Sequence, residues 1–258
     1  MAELIDDIAG IAAEASAYAL GLWRTDFKRW EKSPGNPVCE VDLAVNNLLR
    51  DRLSKLAPDA GWLSEETVDD AARLNHRRCW VVDPIDGTRD FIHGREGWAV
   101  SIALVDGEQP VAAVLDAPAM AQVWRAEAGK GATLNGNRIA HSGRNVFTGA
   151  RTPTDVLPKV DEDLVVVFKP NSIALRIAMV AAGDADLLAT IRWGHEWDIA
   201  AAVLIAREAG CAVSDAIGRK LRFNTPRAEA FGVLATAPGI HLAAIARLHD
   251  RAVAALGR

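Results

Sequence analysis

The chain has 258 residues, half of them hydrophobic, and a formal net charge of −5. That is enough apolar material for one large domain or two intimately packed ones, while the absence of a Lys/Arg block or an RNA-binding aromatic motif leaves nucleic-acid polymers without support as partners. No uncharged run reaches membrane-spanning length, the start with Glu3, Asp6 and Asp7 is unlike the basic start of a signal peptide, and Cys39, Cys79 and Cys211, odd in number and without a C-x-x-C, fit reduced core thiols in a cytoplasm and not disulfides or structural zinc.

In chain order, Leu4, Ile5, Ile8, Ile11, Ala12 and Ala15 recur at helical spacing in a segment that runs to Leu20, and 23–37 reads as a turn-rich loop. A second helix follows, with Val45, Leu48, Leu49, Leu53 and Leu56 on one face and Pro58 closing it. Trp80, Val81 and Val82 read as a buried strand that Pro84 stops. Trp98, Val100, Ile102 and Leu104 alternate, Asp106-Gly107 makes a turn, and 111–115 and 122–125 continue an antiparallel sheet. The weakly patterned stretch 142–158 is a plausible junction between halves 1–145 and 146–258. Beyond it come strand 164–168, helix 172–182, strand 187–190, helix 197–209, strand 231–236 and a last helix 240–256. That alternation argues for an α/β half behind an α+β half.

The densest chemistry is WVVDPIDGTRDF at 80–91. Asp83 and Asp86 stand at the end of the apolar run, and two carboxylates that close repel unless a cation lies between them. Such hard oxygen donors suit Mg2+ or Mn2+, which share their shell with water and substrate phosphate. Gly87 and Thr88 could open a short helix whose free N–H groups face an anion. Alone, the segment reads equally well as a turn. Two distant segments add weight: Glu65 and Glu66 follow an apolar stretch at a strand end, and Asp198 precedes an apolar helix, where an ordinary N-cap is the alternative. Carboxylates from three segments beside a phosphate-competent turn are what metal-assisted phosphoryl transfer requires.

These residues resemble the Mg2+-dependent, lithium-sensitive phosphomonoesterases that include inositol monophosphatase and 3'(2'),5'-bisphosphate nucleotidase. The W-x-x-D-P-[IL]-D-G-T signature is met by Trp80, Asp83, Pro84, Ile85, Asp86, Gly87 and Thr88, and the W-D-x-A-A signature by Trp197, Asp198, Ala200 and Ala201, with Gly210 after the helix. Glu65 and Glu66 match the acidic pair. Val38, Glu40, Val41 and Asp42 match an early V-T-x-x-D pattern in which Cys39 replaces the threonine. The resemblance implies a layered αβαβα sandwich, a homodimer, and a small phosphorylated metabolite as substrate. It implies two to three Mg2+ ions, with Mn2+ a substitute: Glu65, Asp83 and the Ile85 carbonyl for the first, Asp83, Asp86 and Asp198 for the second, and Glu65 with water for a weaker third. Thr88 with Asp42 would orient the attacking water, and the Gly87 and Thr88 amides would hold phosphate. Asp42 could equally cap the helix that follows it.

For substrate, inositol-type members carry a glutamate seven positions before the W-D aspartate, where this chain has Ile191. Glu196-Trp197-Asp198 and Leu221-Arg222-Phe223-Asn224 resemble segments of bacterial bisphosphate nucleotidases, so the leading expectation is release of the 3'-phosphate from 3'-phosphoadenosine 5'-phosphate. Lys169, Arg192 and Arg222 are the candidates for its second phosphate. The alternatives are a phosphatase for inositol monophosphate or histidinol phosphate, and a non-enzymatic partner-binding homologue, against which the intact ligand set argues. His93 and His195 lie near the motifs but read as surface or packing residues; Trp193 and Trp197 are candidates to stack an adenine, and Trp197, part of the signature, reads first as core.

Overall fold

Residues 4–69 and 71–257 are described by a computed structural model; Glu3 of the acidic start lies outside the described residues. Helix α1 (Leu4–Leu22) buries Ile8, Ala12, Ala15 and Ala19 along one stripe. Strands β1 (Arg29–Ser33) and β2 (Asn36–Cys39) then form an antiparallel hairpin where the sequence suggests only a loop. All five residues of β1 are exposed, so no apolar alternation marks it. Helix α2 (Glu40–Leu56) follows directly.

Seven strands, β3 (Gly61–Ser64), β4 (Arg78–Asp86), β5 (Ala99–Asp106), β6 (Gln109–Ala117), β7 (Gln122–Glu127), β8 (Gly131–Leu134) and β9 (Asn137–Arg138), form one sheet in chain order. β3 and β4 are parallel and each later neighbour is antiparallel. The short helix α3 (Thr88–Ile92) leaves the end of β4. Beyond the sheet come β10 (Arg151–Pro153), β11 (Val165–Val167), α4 (Ile173–Ala181), β12 (Leu187–Ala189), β13 (Trp193–His195), α5 (Ala200–Glu208), β14 (Ala212–Ser214), β15 (Glu229–Phe231), β16 (Leu234–Thr236) and α6 (His241–Leu256). β12, β16 and β14 make a small antiparallel sheet in that order.

Period-two alternation along the large sheet builds the layers. Trp80, Val82, Val100, Ile102 and Leu104 pack with α1 and α2 on one face. Cys79, Val81, Ala103, Val105 and Leu115 pack on the other with α4 and α5, and the same cluster continues into Leu188 and Ala235 of the small sheet and Val233 just ahead of β16. Leu234 on that sheet's far face meets Ala244 and Leu248 of α6. The result is the expected αβαβα sandwich. Helix α5 lies between two sheets, which is why its Ala200–Ala206 run is buried all round and built of small and aliphatic side chains.

Three boundaries differ from expectation. Pro84 does not end β4, for a reason given below. The expected strand 231–236 is two, because Gly232, at φ +68°, turns the chain from β13 to β12 and β14; a Cβ there would sit 2.2 Å from the Thr190 carbonyl. Helix α5 starts at Ala200, not Trp197, so Ile199 is its N-cap and Asp198 lies ahead of it in a turn. Cys39, Cys79 and Cys211 are buried and unpaired. No described helix is long and apolar enough to cross a membrane.

Candidate metal-dependent active site

Asp83 and Asp86 are three residues apart, a spacing that on a regular strand would aim them at opposite faces. β4 is bulged between them: Asp83 faces Ser101 and Asp86 faces Ala99, so three steps on β4 oppose two on β5. The extra residue restores both carboxylates to one side while Ile85 packs with the opposite core. The bulge also explains Pro84, which can sit in the strand where the ladder is interrupted and no N–H is required. Gly87 then turns the chain at φ +94°. A Cβ there would lie 2.6 Å from the Gly97 carbonyl and 2.9 Å from Ser172 N, so only glycine lets the turn approach the start of α4.

Around this turn a cleft of about 360 Å3 is lined by Glu65, Asp83, Asp86, Gly87, Thr88, Arg192, Trp197 and Asp198, among others. Carboxylate oxygens of Glu65, Asp83 and Asp198 lie within 4.8 Å of one another. Asp86 stands beside that trio, with Oδ2 accepting from Ser172 Oγ at 2.5 Å and from Ala174 N at 2.8 Å. Asp83 Oδ1 accepts from Ile85 N at 3.0 Å. Thr88 Oγ1 is 3.0 Å from both Asp42 Oδ1 and the Ile85 carbonyl and can donate to one at a time. Asp42 is the third residue of α2 and not its N-cap, which is Cys39; its Oδ2 accepts from Cys39 N at 2.8 Å and from the Cys39 thiol at 2.9 Å. Cysteine at this position therefore still supplies a donor to Asp42.

The electrostatics of the cleft call for positive charge. Burial raises Asp83 well above the usual carboxylate range, and Glu65 and Asp86 push the same way. Burial also raises Asp198, with Asp86 and Glu65 adding to it. Asp86 is lifted to about 6 by burial in spite of its Ser172 and Ala174 donors, and Asp42 to about 6 by burial in spite of Cys39 and Thr88. Oxygen-only donors, clustered and mutually repelling, fit a hard divalent cation. Lys32 of the β1–β2 hairpin supplies part of the balance, donating to Glu65 and Glu66 at 2.8 Å each.

Other candidates fall elsewhere. Arg192 lines the cleft, but Lys169 lines a neighbouring cavity of about 290 Å3 and pairs with Asp155, and Arg222 sits on a separate surface 3.5 Å from Glu108. Ile191 faces the Lys169 cavity, packed among Leu234, Ala244 and Leu248. Glu196 is fully buried and accepts from Asn224 N, Thr225 N and Thr225 Oγ1, the last two at 3.0 and 2.5 Å. Arg73 holds the same loop through Asn224 Oδ1 at 2.7 Å. The Glu196 and 221–224 likenesses are thus two ends of one structural clamp, placed away from the cleft. His93 is exposed and caps α3 through the Arg89 carbonyl, His195 stacks on Trp197 at the cleft rim, and Trp193 lies against Phe231 outside it. Sequence reading missed Asn171, Arg176 and Arg89 as lining residues, and Ser172 as the anchor of Asp86. A serine opening the α4 pattern was the only local signal, and it pointed to a cap, which Ser172 also is.

The layered fold and the acidic cleft at a bulged strand end define a metal-dependent phosphoric monoester hydrolase. The sequence pattern of the inositol monophosphatase family matches residues 1–256, and the chain belongs to that family. An inositol-1-monophosphatase of Mycobacterium bovis is 35% identical over 264 aligned residues, covering 89% of this chain and 88% of the relative. Inositol monophosphatase 2 of Solanum lycopersicum is 32% identical over 88% and 94% of the two chains. Among solved structures, an inositol monophosphatase of Thermotoga maritima superposes with a TM-score of 0.80 at 27% identity, over 95% of this chain and 96% of that one. The extragenic suppressor protein SuhB of Bartonella henselae gives 0.81 at 27%, over 94% and 97%. Family membership sets the non-enzymatic alternative aside.

Proposed function

We propose that this phosphatase is a cytoplasmic, homodimeric, Mg2+-dependent hydrolase of a small phosphate monoester. In this reading 1–145 supplies Glu65, Asp83, the Ile85 carbonyl, Asp86 and the Gly87–Thr88 turn, and 146–258 supplies Asp198 and the substrate rim. The observation that carries it is the convergence of Glu65, Asp83 and Asp198 within 4.8 Å beside Asp86 and Thr88. Glu65, Asp83 and the Ile85 carbonyl would hold one ion, and Asp83, Asp86 and Asp198 a second. A weaker third would rest on Glu65, and Mn2+, satisfied by the same oxygen donors, would substitute. Bound ions of this kind polarise phosphoryl oxygens and make water a stronger nucleophile. Thr88, held between Asp42 and the Ile85 carbonyl, orients that water, and the Gly87 and Thr88 amides at the start of α3 face the phosphate.

Inositol 1-phosphate heads the substrate panel, because relatives carrying inositol monophosphatase names match most of the chain. 3'-Phosphoadenosine 5'-phosphate stands second. Its support no longer includes Lys169, Arg222 or the Glu196 clamp, and rests on Arg192 in the cleft and on the absence of a glutamate at Ile191. Phosphate release from these two esters and from histidinol phosphate, with and without Mg2+, decides both questions. Release from none of them with Mg2+ would sink the reading, and release without Mg2+ would remove the metal from it.

A further inference from the structure

The acids around Asp83 are each held from outside their own element: Asp86 by the Ser172 hydroxyl ahead of α4, Asp42 by Cys39 and Thr88, Glu65 by Lys32 of β1, and Asp198 by His195 N in β13. Asp83, the ligand that both proposed ions share, has a single donor, Ile85 N on its own strand. That bond goes to Oδ1, and Oδ2 accepts from no described residue. A candidate donor stands directly across the sheet. The register pairs Asp83 with Ser101 of β5, and cross-strand partners of an antiparallel pair point to the same face with their Cβ atoms about 5 Å apart. Ser101 is 1% exposed, and its hydroxyl has no hydrogen-bond partner among the described residues. Its other neighbours on that face are apolar: Ala99 and Ala103 flank it along β5, Leu115 faces it from β6, and the run Ala200–Ala206 of α5, which packs on β5, carries no polar side chain. A buried hydroxyl left unpaired costs stability, and rotation about its χ1 redirects it without moving the backbone.

We propose that Ser101 is a positioning residue of the metal site, whose hydroxyl donates to the free Asp83 oxygen and fixes the carboxylate that the two ions share. The inference rests on the metal-dependent phosphatase reading and deepens it. A hydrogen bond from behind orients a carboxylate ligand, and loss of such support typically costs roughly ten- to a hundredfold in metal affinity. In the metal-free fold the same hydroxyl is unpaired, so Ser101 weakens the empty protein and strengthens the site once it is loaded. A serine kept for packing alone would do neither.

The test reads metal affinity without turnover, by titrating the protein with Mn2+ and following the electron paramagnetic resonance signal of the free ion. Ser101→Val and Ser101→Thr have nearly the same shape and differ in the hydroxyl, so comparing them cancels the steric cost of a larger side chain. Ser101→Val should bind Mn2+ roughly ten- to a hundredfold more weakly than Ser101→Thr, whose affinity should approach that of the unmodified protein. Ser101→Ala, which adds no bulk, should lose affinity on the same scale, while its metal-free form melts no lower than the unmodified protein because an unpaired buried hydroxyl has gone. Should both larger side chains unfold the sheet, Ser101→Ala decides alone. Full Mn2+ affinity in Ser101→Ala, or equal affinity in the Val and Thr variants, overturns the role of the hydroxyl and leaves the phosphatase reading standing. An unmodified protein that binds no Mn2+ overturns the metal site and the role of Ser101 together.

Discussion

Asp186 and Asp83 are both almost inaccessible, at 1% and 2% exposure, and the fold treats them oppositely. Asp186 accepts from Arg151 N at 2.8 Å, Nε at 3.1 Å and Nη2 at 2.9 Å. Burial alone would raise it, but those donors and Ser142 outweigh burial and hold it at about 2. Asp83 has one backbone donor, sits among Glu65, Asp86 and Asp198, and is driven far upward. Glu196 lies between the two: it is buried with three donors from 224–225, yet burial still holds it above the usual carboxylate range. A buried acid that the chain itself satisfies is part of the framework. One left with other acids for neighbours marks a place where the protein's own inventory of positive charge stops short and a cation completes it.

The largest effect should come from Asp83→Asn. Loss of a shared ligand is expected to cut kcat/KM roughly a thousandfold or more, since metal stabilisation of the transition state is worth several kcal/mol. Removal of a repelling buried charge should at the same time raise the melting temperature of the metal-free protein. Full turnover by this variant in saturating Mg2+ would break the contrast. Next, Thr88→Ala should lower kcat by roughly ten- to a hundredfold with little change in KM, as expected for a group that orients the attacking water; a raised KM at unchanged kcat would reassign Thr88 to binding. On the framework side, Asp186→Asn should cost about 1–3 kcal/mol in denaturant unfolding, because Arg151 loses its charged acceptor, and should leave kcat alone. A drop in kcat with no loss of stability would place Asp186 with the cleft acids. The smallest expected effect is one of pH. Asp42 and Asp86 are raised in the fold to about 6, so the stability they contribute is complete below their unfolded range near 4 and is lost as pH rises through about 6. The metal-free protein should therefore melt a few degrees higher at pH 5 than at pH 7.5, over and above the behaviour of Asp186, whose contribution fails only well below pH 4. Melting temperatures that climb from pH 5 to 7.5 without Mg2+ would show that the cleft acids are not under the strain described.

The amino-acid sequence by itself determined whatever depends on short spacing. Apolar stripes gave α1, α2 and α6 to within a few residues, alternation gave β5, the short runs after the Asp106-Gly107 turn gave β6 and β7, and the two aspartate signatures brought Asp83, Asp86, Thr88 and Asp198 forward. It failed where a residue's role is set by a partner far along the chain. Glu196 is adjacent to a signature and looked functional, yet its carboxylate is consumed by a loop 28 residues later. Arg222 and Lys169 carried the right charge, and only the fold shows them paired elsewhere while Arg176, hidden inside an apolar helical pattern, reaches the cleft. The bulge that turns Asp83 and Asp86 to one face is fixed by the register against β5, and Asp86 is oriented by Ser172, 86 residues away. Local pattern records which face of a helix or strand is apolar, because burial repeats with the backbone. Which carboxylates are left facing other carboxylates is decided only when the chain has closed around them, and in this protein that difference separates the active site from the framework.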